Sequence, residues 1–370
     1  MTTPMRKSAV LVALSVLSAT AAAEATPIPQ VTRDADGFHF HPPPSLSIPT
    51  LHSLSPTQST DVLDRELVVD LDPPTGAVDA TFSLRLLALE DGVSSVTLYI
   101  DAGLDGTALD STPPGATFTS QQIQSLRLID IEFAPLAEGE EIQLALSYAG
   151  TLACAESVSG QFCDQQPTMS VAFPGSLLPI VIDQSGLGGY NAWGAPRALE
   201  MRMPSGTDMV ATGELVLDDD DGTTRTLRFE TPGYHSAGAY LVLWGDFDAL
   251  PVADVSPPSQ VYSQAGADQW TADMAAWMED IYAFVDAQAG QPMPWPETQV
   301  VKLPANWIFP GTAGHGIVLL AETYGLSGAD YFEETLAHET AHEWWGTLVS
   351  PTDYVTTRWL VAGLRVVSKI

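Results

Sequence analysis

Basic residues are what this chain of 370 residues has least of: 14 Lys and Arg stand against 46 Asp and Glu, a formal charge of −32. Lysine occurs only at Lys7, Lys302 and Lys369. A surface so acidic repels polyphosphates and anionic headgroups, which excludes nucleic acid and anionic membrane as partners. Its simplest use is solubility, including in a saline medium, with recruitment of cations or basic substrates as the sharper alternative. Cysteine is equally scarce, Cys154 and Cys163 being the whole complement, too few and too isolated to hold zinc. Beyond the first residues no run is long and apolar enough to span a bilayer, so no transmembrane segment is expected. No internal repeat is present.

What is present begins with an export signal. Residues Met1 to Ala25 carry Arg6 and Lys7, an apolar run from Ala9 to Leu17, then Ala21-Ala22-Ala23, the three parts of a cleavable secretory peptide. Cleavage after Ala23 or Ala25 would deliver the chain to the periplasm or the extracellular space. An oxidising compartment favours a disulfide between Cys154 and Cys163, whose separation closes a local loop. Residues 26–60 are rich in Pro, Ser and Thr, with Pro42-Pro43-Pro44, and read as a linker in which His39, His41 and His52 are solvated.

From 61 to 250 strand signals dominate. Val78, Ala80, Phe82, Leu84 and Leu86 alternate with polar residues, as do Ile142, Leu144, Leu146 and Tyr148, the pattern of half-buried strands. Asp221-Gly222 reads as a hairpin tip, which accounts for the acidic run Asp218 to Asp221 more simply than a calcium site. The spacing predicts an antiparallel β-sandwich or open saddle. Prolines between Pro251 and Pro258 mark a boundary. A helix is then expected over Asp268 to Ala289 with Trp270, Met274, Trp277, Ile281, Phe284 and Val285 as its core stripe, and a strand over Gln299 to Leu303.

The chemistry concentrates in Ala337-His338-Glu339-Thr340-Ala341-His342-Glu343-Trp344-Trp345-Gly346. Two histidines four apart share one face of a helix, so both imidazoles reach one Zn²⁺ at about 2.0–2.1 Å. Glu339, next to the first, is placed to take a proton from a zinc-bound water, the general-base role. Asp330 and Glu333 form a box-like cap at the start of this helix, and Gly346 stands at its end.

The run Leu336 to Pro351, LAHETAHEWWGTLVSP, resembles the zinc-helix signature of the aminopeptidase N family of gluzincins, HELAHQWFGNLVTP. The segment Pro204-Ser205-Gly206 with Val210-Ala211-Thr212-Gly213-Glu214 is similar, more weakly, to the VPAGWTVVANGE-type hairpin of that family's β-domain. The resemblance implies an α+β architecture: an N-terminal antiparallel β-domain at 61–250, then the first part of a thermolysin-like zinc catalytic domain at 259–370. It implies zinc as cofactor and a peptide or protein as substrate. It also places Gly314, His315 and Gly316 in the strand that pairs with the peptide, where glycines allow close backbone approach.

The sequence departs from the family at several positions. Where a later glutamate supplies the third zinc ligand, strict counting lands on Val361 and alignment of Trp359, Leu360 and Gly363 lands on Ala362. Glu322, Asp353 and His315 are the nearest substitutes in sequence. Ala313 stands where a glutamate binds the substrate's α-amino group, and Trp193-Gly194-Ala195-Pro196 replaces an acid-bearing turn. His315 reads as an exposed loop residue with a possible reach to substrate. The chain ends at Ile370, so a half-complete catalytic domain with apolar surface exposed is expected. Two functions are therefore carried forward: an exported zinc metallopeptidase of aminopeptidase type, exo- or endo-acting, and a non-catalytic, decayed homologue acting as an exported β-rich binding protein. Oligomeric state is not set by the sequence.

Overall fold

The computed structural model describes residues 30–34, 37–41, 59–123, 126–152, 163–165, 169–172, 177–182, 197–231, 241–252, 255–264, 269–289, 293, 295–303, 311–321 and 329–343. The chain divides into two compact units. In the first, residues 1–57 with 185–187, β1 (Gln30–Asp34) and β2 (Gly37–His41) pair antiparallel with Val31 opposite Phe40. This hairpin corrects part of the linker expectation. Alternation of Val31, Phe38 and Phe40 with polar neighbours suffices for a short pair even inside a proline-rich segment.

The second unit opens with seven strands: β3 (Thr60–Asp72), β4 (Ala77–Ala88), β5 (Val93–Asp101), β6 (Leu104–Thr112), β7 (Thr117–Ile123), β8 (Leu126–Leu136) and β9 (Glu141–Thr151). Shorter strands follow, β10 (Cys163–Gln165), β11 (Met169–Ala172) and β12 (Ile180–Ile182). Next come β13 (Arg197–Pro204), β14 (Asp208–Ala211), β15 (Glu214–Asp220), β16 (Thr224–Thr231) and β17 (Val242–Gly245). The last part holds β18 (Asp248–Val252), β19 (Ser259–Ser263), α1 (Gln269–Ala289), β20 (Thr298–Leu303), β21 (Gly311–Gly314), β22 (Ile317–Ala321) and α2 (Ala329–His342).

The large sheet runs β15-β16-β13-β3-β4-β9-β6, antiparallel except where β13 lies parallel to β3. A four-stranded sheet, β12-β5-β8-β7, shares its core. The alternation is carried out as expected: Val78, Ala80, Phe82, Leu84 and Leu86 are buried from one face of β4 while Asp79, Thr81 and Arg85 are exposed from the other. Each of the larger side chains among these contributes on the order of 1.5–3 kcal/mol on burial. Asp221 closes the β15–β16 hairpin by accepting the N–H of Thr223 and of Thr224 at 2.8 Å each, and Gly222 adopts φ 85°. The acidic run thus serves the turn.

A third sheet, β10-β11-β17-β14, lies against one face of a mixed sheet of order β18-β19-β20-β22-β21, with Val210 and Leu243 packed on Val301 and Leu319. In the mixed sheet β19, β20 and β22 are parallel, and β18 and β21 are antiparallel edges. The parallel strands are covered on both faces, so all of β20 and β22 is buried. β18 carries residues 248–250 into this sheet across the expected boundary, with Pro251 tolerated on its edge opposite Gln260.

α1 and α2 cover the other face, where Met274, Met278, Ile281, Tyr282, Val285, Leu336 and Ala337 pack with Val300, Val318 and Leu320. The stripe is rotated from the expected one: Met278 and Tyr282 are buried, whereas Trp270, Trp277 and Phe284 sit half-buried at its margin. No helix among the described residues is long and apolar enough to cross a membrane.

Candidate metal centre

α2 starts at Ala329, so Asp330 is inside the first turn and does not cap it. The helix stops at His342, with Glu343 in a turn whose N–H is donated to the Thr340 carbonyl at 3.1 Å. Leu336, Ala337 and Ala341 are the buried side that seats the helix on the sheet. The two histidines are thereby presented together at one end of a packed helix.

His338 and His342 bring their Nε2 atoms to 3.2 Å, with ring centroids 4.7 Å apart and planes at 80°. Two nitrogens bound to one tetrahedral zinc at about 2.05 Å lie about 3.3 Å apart, so this pair has the bite of a metal chelate. His338 Nδ1 is buried without a hydrogen-bond partner among the described residues. The described residues contain no group of three candidate ligands. Glu322, Asp353, Val361 and Ala362 lie outside them.

Glu339 is 6 % exposed, and burial pushes its carboxyl up to about 8. It stands against the start of the β21 edge strand: a Cβ built on Gly311 would fall 2.8 Å from Glu339 Cγ and 3.0 Å from Thr335 Cγ2. Only glycine lets strand and helix approach this closely. The general-base candidate and the edge strand are therefore adjacent.

His315 and Gly316 form the turn between β21, which Gly314 ends, and β22, with Gly316 at φ 73°. Its N–H is donated to Glu343 Oε2 at 2.8 Å, and its carbonyl accepts the Gln299 N–H at 2.8 Å. Glu343 is buried, and burial first, then the nearby Glu339, raise its carboxyl well above the usual carboxylate range. Sequence reasoning missed Glu343, although its place directly after the second histidine was a signal. His315 overturns the exposed-loop expectation: it is 1 % exposed, its ring edge-on to Trp295 at 4.9 Å between centroids. Trp295, remote in sequence, is what covers it.

Ala313 lies in β21 and presents no charge. Cys163 begins β10, but Cys154 lies outside the described residues, as do Trp193 to Pro196, Gly346 and the export signal. The expected disulfide and the cleavage site are therefore not described.

No protein-family model and no curated protein matches the sequence. Solved structures do. A mutant of the M1 zinc metallopeptidase from Deinococcus radiodurans superposes with a TM-score of 0.66 at 19% identity, covering 83% of this chain and 69% of that one. The unmutated enzyme gives 0.64 at 18% identity with the same coverage. A mutant of it bound to a Tyr-Ser-Ala substrate gives 0.61 at 17% identity, again over 83% and 69%. Over the part that superposes, the chain has the fold of the M1 zinc metallopeptidases.

Proposed function

We propose that this chain is an exported zinc metallopeptidase of aminopeptidase type, with His338 and His342 as metal ligands and Glu339 as general base. The observation that carries the reading is the convergence of the two Nε2 atoms to 3.2 Å beside a buried carboxyl. Zinc, when bound, polarises a carbonyl and acidifies a water. The chain's own residues do the rest. Glu339, buried beside the histidine pair, is placed to take a proton from the attacking water and pass it to the leaving amine. β21, an edge of the mixed sheet among the described strands, offers backbone N–H and C=O groups for pairing with an extended peptide. Gly311 keeps that edge against Glu339.

The test is the zinc content of the mature chain after exhaustive dialysis, beside His338→Ala. About one zinc per chain, lost in the variant, supports a complete centre with a third ligand outside the described residues. Cleavage of free and amino-blocked peptides then separates exo- from endo-action; Ala313, uncharged in the edge strand, favours tolerance of blocked termini. Absence of retained zinc would leave the non-catalytic, β-rich reading. Export is tested by N-terminal sequencing of secreted protein, with a mature terminus following Ala23 or Ala25 expected.

A further inference from the structure

Beside the β21–β22 turn lies a cleft between the strand ends at β14–β16 and the segment entering β20. Its polar wall is formed by Glu214, Glu230, Glu297 and Gln299, and it is floored by His315 and Gly316. No lysine or arginine lines it. The three carboxylates are committed to different degrees. Glu230 Oε1 accepts from Arg228 Nε at 3.0 Å. Glu297 Oε1 accepts from a neutral donor, Gln299 Nε2, at 3.3 Å, which leaves its charge uncompensated. Glu214 is exposed and forms no ion pair among the described residues.

Gln299 is the second, independent observation. Its residue is 7 % exposed, and its Oε1 is buried in the cleft wall with no hydrogen-bond partner among the described residues. A buried acceptor left unmade is destabilising, so this oxygen is open to an incoming donor. The carboxylates of Glu214, Glu230 and Glu297 and the Gln299 Oε1 are acceptors, and two of them bring uncompensated negative charge. The complementary ligand is a cation carrying several N–H donors. A single metal ion is a poor match, because no three His, Cys, Asp or Glu groups among the described residues are grouped to hold one. A nitrogen cation, with its donors spread over several directions, bridges wider spacings.

We propose that this cleft binds a cationic nitrogen group of a peptide, an alkylammonium or a guanidinium, with Glu214 and Glu297 supplying the charge and Gln299 Oε1 accepting an N–H. That the cation belongs to a peptide rests on the metallopeptidase reading; the preference for a cation does not.

The experiment is calorimetric titration of the full chain after chelation, with four probes: N-acetylarginine amide, N-acetyllysine amide, alanine amide and N-acetylnorleucine amide. At least one of the first three should bind about tenfold more tightly than the uncharged norleucine probe. A preference for arginine assigns a guanidinium, for lysine a side-chain ammonium, and for alanine amide the α-ammonium. The advantage should disappear in the Glu214→Gln/Glu297→Gln double variant and shrink in Gln299→Leu. Glu90→Gln, on a remote loop, should keep it. Far-ultraviolet circular dichroism identifies any variant that fails to fold, and the nearly isosteric Glu→Gln changes keep the test available. Equal binding of all four probes, or a cation preference that survives the double variant, overturns the proposal. Because the protein is metal-free and nothing is turned over, failure here leaves zinc retention untouched. Loss of zinc, in turn, leaves the cation preference measurable.

Discussion

Glu339 and Glu343 place two carboxyls in the interior of one helix end, and both are raised by burial. In the metal-free protein the folded state therefore holds protons that the unfolded chain releases above about 4.5. The sign follows: this contribution is fully present below that pH and is lost as pH rises through about 8, where Glu339 ionises. Denaturant titrations of chelated protein should show stability falling over this window by on the order of a few kcal/mol, and Glu339→Gln should flatten the slope. A second prediction concerns Gly311. Its alanine variant drives a methyl into Glu339 Cγ at 2.8 Å, and we expect a loss of about 1–3 kcal/mol with displacement of the carboxyl. An unchanged melting temperature together with unchanged zinc affinity would refute the close contact. At this scale the sequence announced the histidine pair, because a four-residue spacing is a local property of a helix. It did not announce the burial of His315, which depends on Trp295, or the bond from Gly316 to Glu343, which crosses between elements.

The elements themselves were legible where periodicity is strict. β4 and β9 alternate as they read, and the β15–β16 hairpin turns at Asp221-Gly222. α1 was legible as a helix and, at Met274, Ile281 and Val285, in half of its buried stripe. Its surface carries apolar residues around much of its circumference, and large aromatics weighted the reading toward Trp277 and Phe284. The sheet keeps the expected Met274, Ile281 and Val285 and adds Met278 and Tyr282 in place of those aromatics. Met278→Ala should accordingly cost about 2–5 kcal/mol, and truncating the half-buried Trp277 should cost less, as equilibrium unfolding of the two variants would establish. Strand order in the mixed sheet was out of reach, since it arises from pairings between β19, β20 and β22 that no local pattern encodes. Yet that order is what sets β21 at an edge and brings it to α2.

Over the whole molecule, a formal charge of −32 must be carried on a closed surface. Among the described residues two arginines of β16 are spent as bridges: Arg225 reaches Asp208 and Asp218, and Arg228 reaches Glu66, Glu200 and Glu230. Each such exposed bridge contributes little, so most of the negative charge remains mutually repulsive. Thermal stability should rise with sodium chloride as the Debye length shrinks from about 30 Å at 0.01 M to about 3 Å at 1 M. A melting temperature independent of salt would show that the repulsion is already relieved.

β15 gives that acidity a further meaning. It lies at one edge of the large sheet, every one of its residues is exposed, and Leu215, Val216 and Leu217 show 41%, 47% and 42% of their surface to water. An apolar strand with an open row of backbone groups is a template for another copy of the chain. The irregularity between Leu215 and Leu217 and the aspartates that follow act as gatekeepers, making each approaching copy meet like charge before it can form a ladder. Removing that charge should convert the edge into a polymerising end, and Asp219→Val should lower the protein concentration at which light scattering begins while sparing the Arg225 pair. The same negative charge that leaves the fold strained against itself is colloidal insulation for an unfinished sheet.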